Sequence, residues 1–391
     1  MPSPSLNFVT RSLRIAILLN PFDLGVKGGD WAPQLARELL NRGHTVRGFG
    51  APAGVIPRSS EAGDGDGDGS LLGFAPEIIV AYDALSPAAL KGARACHRLE
   101  VPLILVESGF SGPGRWHERL LRWLGQKLWG PLVRRRAACV VALDPQAREQ
   151  ALSEGFESNR IEVQGAGVDL QHYRPGLTSS LVSHHRLRGR ILLYAGRVGP
   201  GRGLECLIEA FARTVGQGRD WTLVLAGDGP LHGRKVLRAL ADRLGVGARL
   251  HWLQRPRAEE LPGLMGSATL LCVPAVDDSV RGKQIPRALA CGLPVIASKL
   301  PRLSALVRDG ETGLLVAPGN LDAWSAALTR ASASPQARKR WSQRAREVAL
   351  EEFNWVRVAE DFEALLLRTL AAAPKTESPS ELSPAVGKAD L

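Results

Sequence analysis

The segment Ile191–Pro230, ILLYAGRVGPGRGLECLIEAFARTVGQGRDWTLVLAGDGP, constrains this chain most. An apolar run, Ile191 to Ala195, ends in Gly196-Arg197. A short Gly/Pro loop then carries a second cation, Arg202, and a segment of helical period follows. A second apolar run, Thr222 to Ala226, ends in Gly227-Asp228-Gly229-Pro230. Short apolar runs closed by glycine, with a helix between them, predict buried parallel strands joined by a crossover helix. Open parallel sheets bind ligands at the carboxyl ends of their strands. Helix N-termini at that edge present free N–H groups and favour anions. Arg197 and Arg202 at such an edge point to a phosphate or pyrophosphate.

Composition narrows the class. The chain has 391 residues, enough for two domains. Five cysteines, Cys96, Cys139, Cys206, Cys272 and Cys291, are scattered without spacing that suits zinc or a disulfide framework. That usage fits a reducing cytoplasm. No stretch near the start has the apolar core of a signal peptide, and no apolar run reaches transmembrane length. The net charge of +11 favours an anionic partner: a membrane surface, nucleic acid or a phosphorylated substrate.

The 191–230 unit resembles the C-terminal domain of the family-4 retaining glycosyltransferases, which have the GT-B fold. That family carries Gly-Arg-(x)5-Gly, whose Arg and a following Lys meet the nucleotide-sugar pyrophosphate. Arg197 falls on the Arg, and Arg202 stands at the Lys position. Arg keeps the charge but can grip phosphate with two prongs, where Lys is a point charge. The opening resembles the family too: a strand over Leu13–Leu19, a loop with Gly28-Gly29, a helix over Trp31–Arg42, and the ending Arg42-Gly43-His44. In the family that Gly-Gly loop lies beside the donor phosphates and the acceptor, where glycine permits close backbone approach. The stretch 160–176, RIEVQGAGVDLQHYRPG, is similar to the family's linker, with Ala166 where Asn is common.

The resemblance implies an α/β protein of GT-B fold, two Rossmann-like domains facing a cleft. The N-terminal acceptor domain spans 13–183 and the nucleotide-sugar donor domain 188–354. A helix over 355–372 crosses back to the first domain, and 373–391, rich in Pro, Ser and Ala, forms a disordered tail. Residues 59–70, SSEAGDGDGDGS, begin like a calcium loop, but Ala75 stands where its twelfth-position Glu belongs. A solvated surface loop is the preferred reading.

Residues 115–136, RWHERLLRWLGQKLWGPLVRRR, place Trp and Leu at helical spacing beside a basic stripe. Trp116, Arg119, Arg122, Trp123, Lys127 and Trp129 are candidates to face an anionic membrane. A core-packed helix with solvated arginines fits the same pattern. No recognised nucleic-acid motif accompanies the cations, which argues against nucleic acid as the partner.

The site departs from the family pattern in three places. Ala290-Cys291-Gly292-Leu293-Pro294-Val295 matches closely. The Glu-x7-Glu pair that precedes it in the family, for sugar hydroxyls and ribose, is missing. Ser279 and Arg287 stand there; in a shorter register Lys283 takes the first position. Arg287 cannot accept hydrogen bonds from hydroxyls, but it can pair with phosphate. Asp277 or Asp278 lies close enough in sequence to replace the sugar-binding carboxylate. Leu303-Ser304-Ala305 stands where the family often has Pro-Glu. The family's sugar-contacting His is replaced by Ser108 beside Glu107, with His117 nine residues on.

The expected activity is transfer of a sugar from a nucleotide-sugar to an acceptor hydroxyl with retention, without metal or other cofactor. Arg197 and Arg202 would neutralise the leaving diphosphate. Gly28, Gly29, Gly196, Gly227, Asp228, Gly229, Lys283, Gln284 and Arg287 are donor-side candidates. Glu107 and Ser108 are acceptor-side candidates. A glycan or lipid-linked acceptor in cell-envelope or lipopolysaccharide synthesis suits the basic Trp-rich segment, with a cytoplasmic protein peripheral on the membrane. Two rivals stand beside this reading. One is a catalytically degenerate GT-B protein that binds nucleotide or a partner; the other is a sugar-phosphate or nucleotide-sugar enzyme on the same scaffold.

Overall fold

The computed structural model describes residues 11–19, 31–50, 56, 71–109, 123–165, 167–199, 202–214, 220–254 and 256–372. The Gly28-Gly29 loop, the acidic 59–70 stretch, His117 and the proposed tail lie outside the described residues.

The apolar runs become two parallel sheets. The first contains β1 (Arg14–Leu18), β2 (Thr45–Phe49), β3 (Ile78–Tyr82), β4 (Leu103–Glu107), β5 (Ala137–Ala142) and β6 (Ile161–Val163), in the order β2-β1-β3-β4-β5-β6. The second contains β7 (Arg190–Ala195), β8 (Trp221–Ala226), β9 (Leu250–Leu253), β10 (Leu270–Val273), β11 (Val295–Ser298) and β12 (Gly313–Val316), in the order β12-β11-β10-β7-β8-β9. Central strands such as β3 and β8 are buried at every position, because helices cover both faces. Their sequences are therefore continuous apolar runs rather than alternating ones. Helix starts follow ordinary cap chemistry. Ser86 accepts from the Ala89 amide and Asp144 from the Ala147 amide, each with proline following.

The strand order reverses between β1 and β3 in the first sheet, and between β7 and β10 in the second. At a reversal the adjacent loops diverge and leave a crevice at the carboxyl edge. The chain passes between the domains twice, and the two passages pair. Val168 bridges Asn354, and its amide donates to Phe353 O at 2.7 Å. A Cβ at Gly167 would lie 2.5 Å from the Trp355 ring, so this crossing requires glycine. The helix Trp355–Ala372 returns to the first domain and buries Trp355, Val358, Phe362 and Leu366 beside Leu13, Ile15 and Trp31. Here the arginine and histidine of Arg42-Gly43-His44 find their partner. Arg42 Nε lies 2.5 Å from Glu363 Oε2, and His44 Nε2 lies 3.2 Å from Glu363 Oε1.

Candidate functional site

The carboxyl edges of the two sheets face each other, and an ion pair and an arginine–carbonyl hydrogen bond join them. Arg302, on the short helix after β11, is 1% exposed. Its Nε lies 3.0 Å from Asp144 Oδ2, and its Nη2 donates to Asp144 Oδ1 at 3.3 Å. Asp144 follows β5, so this ion pair, hydrogen-bonded through Nη2, spans the domains. Arg281, after β10, donates from Nη2 to the carbonyl oxygen of Gly109, after β4. Gly109 sits at φ +72, and a Cβ there would meet Arg302 Nη2 at 2.8 Å. Both the backbone turn and the passage of the guanidinium need glycine at this position. Burial, then the neighbouring Arg302, lower the Arg281 pKa, while Asp144, Asp83 and Glu107 oppose that shift.

The loop after β7 is built against bare backbone. A Cβ at Gly227 would fall 1.8 Å from Gly196 O, and one at Gly203 would fall 1.7 Å from Pro274 O. The Val198 amide donates to Asp228 O at 2.7 Å, which ties the loop to the end of β8. Tyr194 Oη donates to Arg197 O at 2.6 Å, and burial pushes this phenol up to about 12. These contacts hold the backbone at Arg197 while its side chain stays exposed. Arg202 is half-buried. Across the crevice, the Asp277 carboxyl is held below its ordinary range by hydrogen bonds from Ser279, with Arg202 contributing. The sequence-predicted Gly196, Arg197, Arg202, Gly227, Asp228 and Gly229 thus gather at the β7–β10 reversal.

Lys283, Gln284 and Arg287 lie elsewhere around the same segment. The helix Gln284–Ala290 starts immediately after Lys283. Lys283 and Arg287, one turn apart, both line a cavity of about 380 Å³ between the domains. Neither Arg197 nor Arg202 lines it. The Arg287 guanidinium sits 5.6 Å from the centre of the Tyr173 ring, in the interdomain linker. Gln284 is half-buried, and its Oε1 has no hydrogen-bond partner among the described residues.

Glu107 and Ser108 are both buried. The Glu107 carboxylate accepts from the Ala84 amide (3.2 Å), the Gly109 amide (3.2 Å) and Gln150 Nε2 (2.9 Å). It closes the loops after β3 and β4. Ser108 lines the interdomain cavity and donates from Oγ to Asp83 Oδ1 at 3.3 Å. Asp83 was not singled out in the sequence, yet it stands at the β1–β3 reversal with φ +55. Left-handed backbone at a non-glycine residue is a strained feature that concentrates at functional sites. An apolar run, Ile78–Tyr82, ending in an acid was the available signal. Arg281, Arg302 and Asp144 also escaped, because their partners are far away in sequence.

Of the membrane-facing candidates, Trp116, Arg119 and Arg122 lie outside the described residues. Trp123 is 56% exposed, and Lys127 is exposed beside Leu128, itself 71% exposed. Trp129 turns inward, and its indole donates to Leu85 O at 3.1 Å. Among the described residues, no group of three His, Cys, Asp or Glu side chains could hold a metal ion. None of their helices is long and apolar enough to cross a membrane.

Known proteins resemble this chain in fold and in part of its sequence. The family "Glycosyl transferases group 1" matches residues 182–348, which cover the second sheet. The chain is 32% identical over 262 residues to D-inositol 3-phosphate glycosyltransferase of Mycobacterium leprae, covering 65% of this chain and 59% of that protein. It is 32% identical over 213 residues to the Rhodococcus jostii protein of the same name, covering 53% and 47%. The chain spans about half the length of the curated relatives it matches. Among solved structures, Anabaena Alr3699/HepE, crystallised in complex with UDP, aligns with a TM-score of 0.72 at 20% identity. That alignment covers 91% of this chain and all of the Anabaena chain, so the likeness is one of fold. Two Rossmann-like α/β domains face a cleft in the GT-B manner, and the second of them matches the glycosyl transferases group 1 family over residues 182–348.

Proposed function

We propose that this protein transfers a sugar from a nucleotide-sugar to an acceptor hydroxyl, with retention of configuration. The observation that carries the reading is the loop after β7. It sets Arg197 and Arg202 at a strand-order reversal, on a backbone fixed by Gly203 and Gly227 against neighbouring carbonyls. A diphosphate leaving group builds up negative charge as the glycosidic bond breaks. Two guanidiniums placed there in advance stabilise that charge without reorganisation. The reaction needs no metal in this scheme, because the arginines supply the positive charge. The first domain supplies the acceptor side, where Asp83 and Ser108 meet at the opposite reversal. Closing the cleft keeps water from the donor.

The acceptor is a cell-envelope glycan or lipopolysaccharide precursor, met at the inner face of the membrane. Support comes from exposed Trp123 and Leu128 beside Lys127, a composition suited to an anionic lipid surface. Titration with UDP, GDP and ADP by calorimetry tests the donor site. One nucleotide binds in the micromolar range, and Arg197→Ala weakens it by about tenfold or more. If none of the three binds, the missing Glu pair becomes decisive and the protein is a degenerate scaffold. Proton NMR of the product then reads the anomeric configuration.

A further inference from the structure

The cavity shared by the two domains has its own chemistry. Its walls are mainly apolar and come from both domains and both crossings: Leu143, Val168, Pro286, Phe353 and Trp355. Its volume, about 380 Å³, is that of a small-molecule site. The lining cations are Arg281, Lys283, Arg287 and Arg302, against the carboxylates of Asp144 and Glu352. Asp144 is engaged by Arg302, and Glu352 pairs with Arg308. Among the described lining residues, cations outnumber carboxylates four to two around an apolar floor. Lys283 and Arg287 lie on one side of their helix, and Tyr173 holds the Arg287 guanidinium. Arg287, and in the shorter register Lys283, stands where the glycosyltransferase resemblance leads one to expect a carboxylate for the donor's hydroxyls, and neither can accept a hydrogen bond. A bare sugar would bury its hydroxyls against hydrocarbon here, at a cost in unmade hydrogen bonds.

We propose that this cavity takes the acceptor, and that the acceptor is an amphipathic anion. Its phosphate or carboxylate rests on Lys283 and Arg287, and its apolar body lies against Phe353, Trp355 and Leu143. The word acceptor rests on the transfer reading above; the ligand chemistry does not. With Ser108 on the same wall, a hydroxyl of the ligand would lie close to Asp83.

The test is calorimetry on the full chain without donor, using geranyl phosphate, geraniol, inorganic phosphate and glucose 6-phosphate. Geranyl phosphate is expected to bind at least about tenfold tighter than each of the other three. Lys283→Gln with Arg287→Gln should weaken geranyl phosphate about tenfold and leave geraniol unchanged. The single change Lys283→Gln, at an exposed position, should give a smaller loss of the same kind with an unaltered melting temperature. Geraniol binding as well as geranyl phosphate would overturn the role of the cations. Glucose 6-phosphate binding equally well would overturn the role of the apolar wall and favour a soluble sugar phosphate. No binding by geranyl phosphate would remove the proposal. Failure of the transfer reading shows separately, in the nucleotide titration of Arg197→Ala.

Discussion

Two arginine–carboxylate joints hold the parts of this molecule together, and they differ in kind. At the cleft, Arg302 of the second domain meets Asp144 of the first, beside an open cavity. At the far side, Arg42 and His44 meet Glu363 of the returning helix, inside a packed aromatic and aliphatic cluster. Asp144 keeps 21% of its side-chain surface exposed, whereas Glu363 keeps 3%. The cleft joint can be rehydrated when the domains part, so its loss is partly compensated by water. At the rear joint Arg42 keeps 29% of its side-chain surface exposed and a second partner in Glu360, but the buried Glu363 carboxylate has no such replacement. We read the first as part of the moving site and the second as a permanent fastening.

The largest effect expected from breaking this comparison is at Glu363. Glu363→Ala leaves Arg42 Nε without its acceptor and the His44 ring without its neighbouring carboxylate, and it opens a gap under the returning helix. Removing one partner of a buried pair typically costs about 3 kcal/mol or more. Chemical denaturation should show that loss, while nucleotide affinity of the remaining folded protein stays as in the wild type. A loss of nucleotide binding with unchanged stability would contradict the division between the two joints.

Arg302→Met should cost less, about 2 kcal/mol, because Asp144 regains water and still caps its helix through the Ala147 amide. The distinguishing readout is shape. Small-angle scattering should show a more open molecule for Arg302→Met and no change for Glu363→Ala. Asp144→Asn, which keeps the cap oxygen but removes the charge, should open the cleft to a similar degree. If both cleft variants scatter like the wild type, the Arg302–Asp144 pair is ordinary packing.

The joints also show what a sequence can and cannot reveal. β7 and β8 were legible because strands covered on both faces must be continuously apolar and must end at a turn. The segment after Arg202 was legible as a helix by its period, and 355–372 through the family resemblance. The loop Gly196–Gly203 was legible because only glycine fits where a Cβ would fall on a carbonyl oxygen, as at Gly203. The partners of Arg302 and Glu363 were not, since the pairs span 158 and 321 residues and no local pattern records them. The placement of Lys283 and Arg287 was only half legible. Their charge was plain, but which side of the helix faces the interdomain cavity depends on how the two domains close.

The smallest effect belongs to His44 and sharpens the rear joint further. Its Nδ1 accepts the Leu13 amide at 3.2 Å, which places the ring proton on Nε2, facing Glu363. The neutral ring thus accepts from Leu13 and turns its Nε2 towards Glu363 Oε1 at 3.2 Å. Burial lowers the His44 pKa below its ordinary 6.5, against the opposing pull of Glu363 and with a smaller push from Arg42 in the same direction as burial. With the folded value below the unfolded one, the unfolded chain takes up the proton first as pH falls. The contribution to stability is thus complete above about pH 6.5 and is lost as pH drops through 6.5 towards the folded value. The loss cannot exceed about 1.4 kcal/mol per pH unit, since one proton is involved. His44→Gln offers an oxygen and an amide N–H without titrating. The stability difference between wild type and variant should therefore shrink between pH 7 and pH 5, the wild type losing more. A difference that grows over that interval would mean that the imidazolium is the form held by Glu363, and the rear joint would be ionic throughout rather than half hydrogen-bonded.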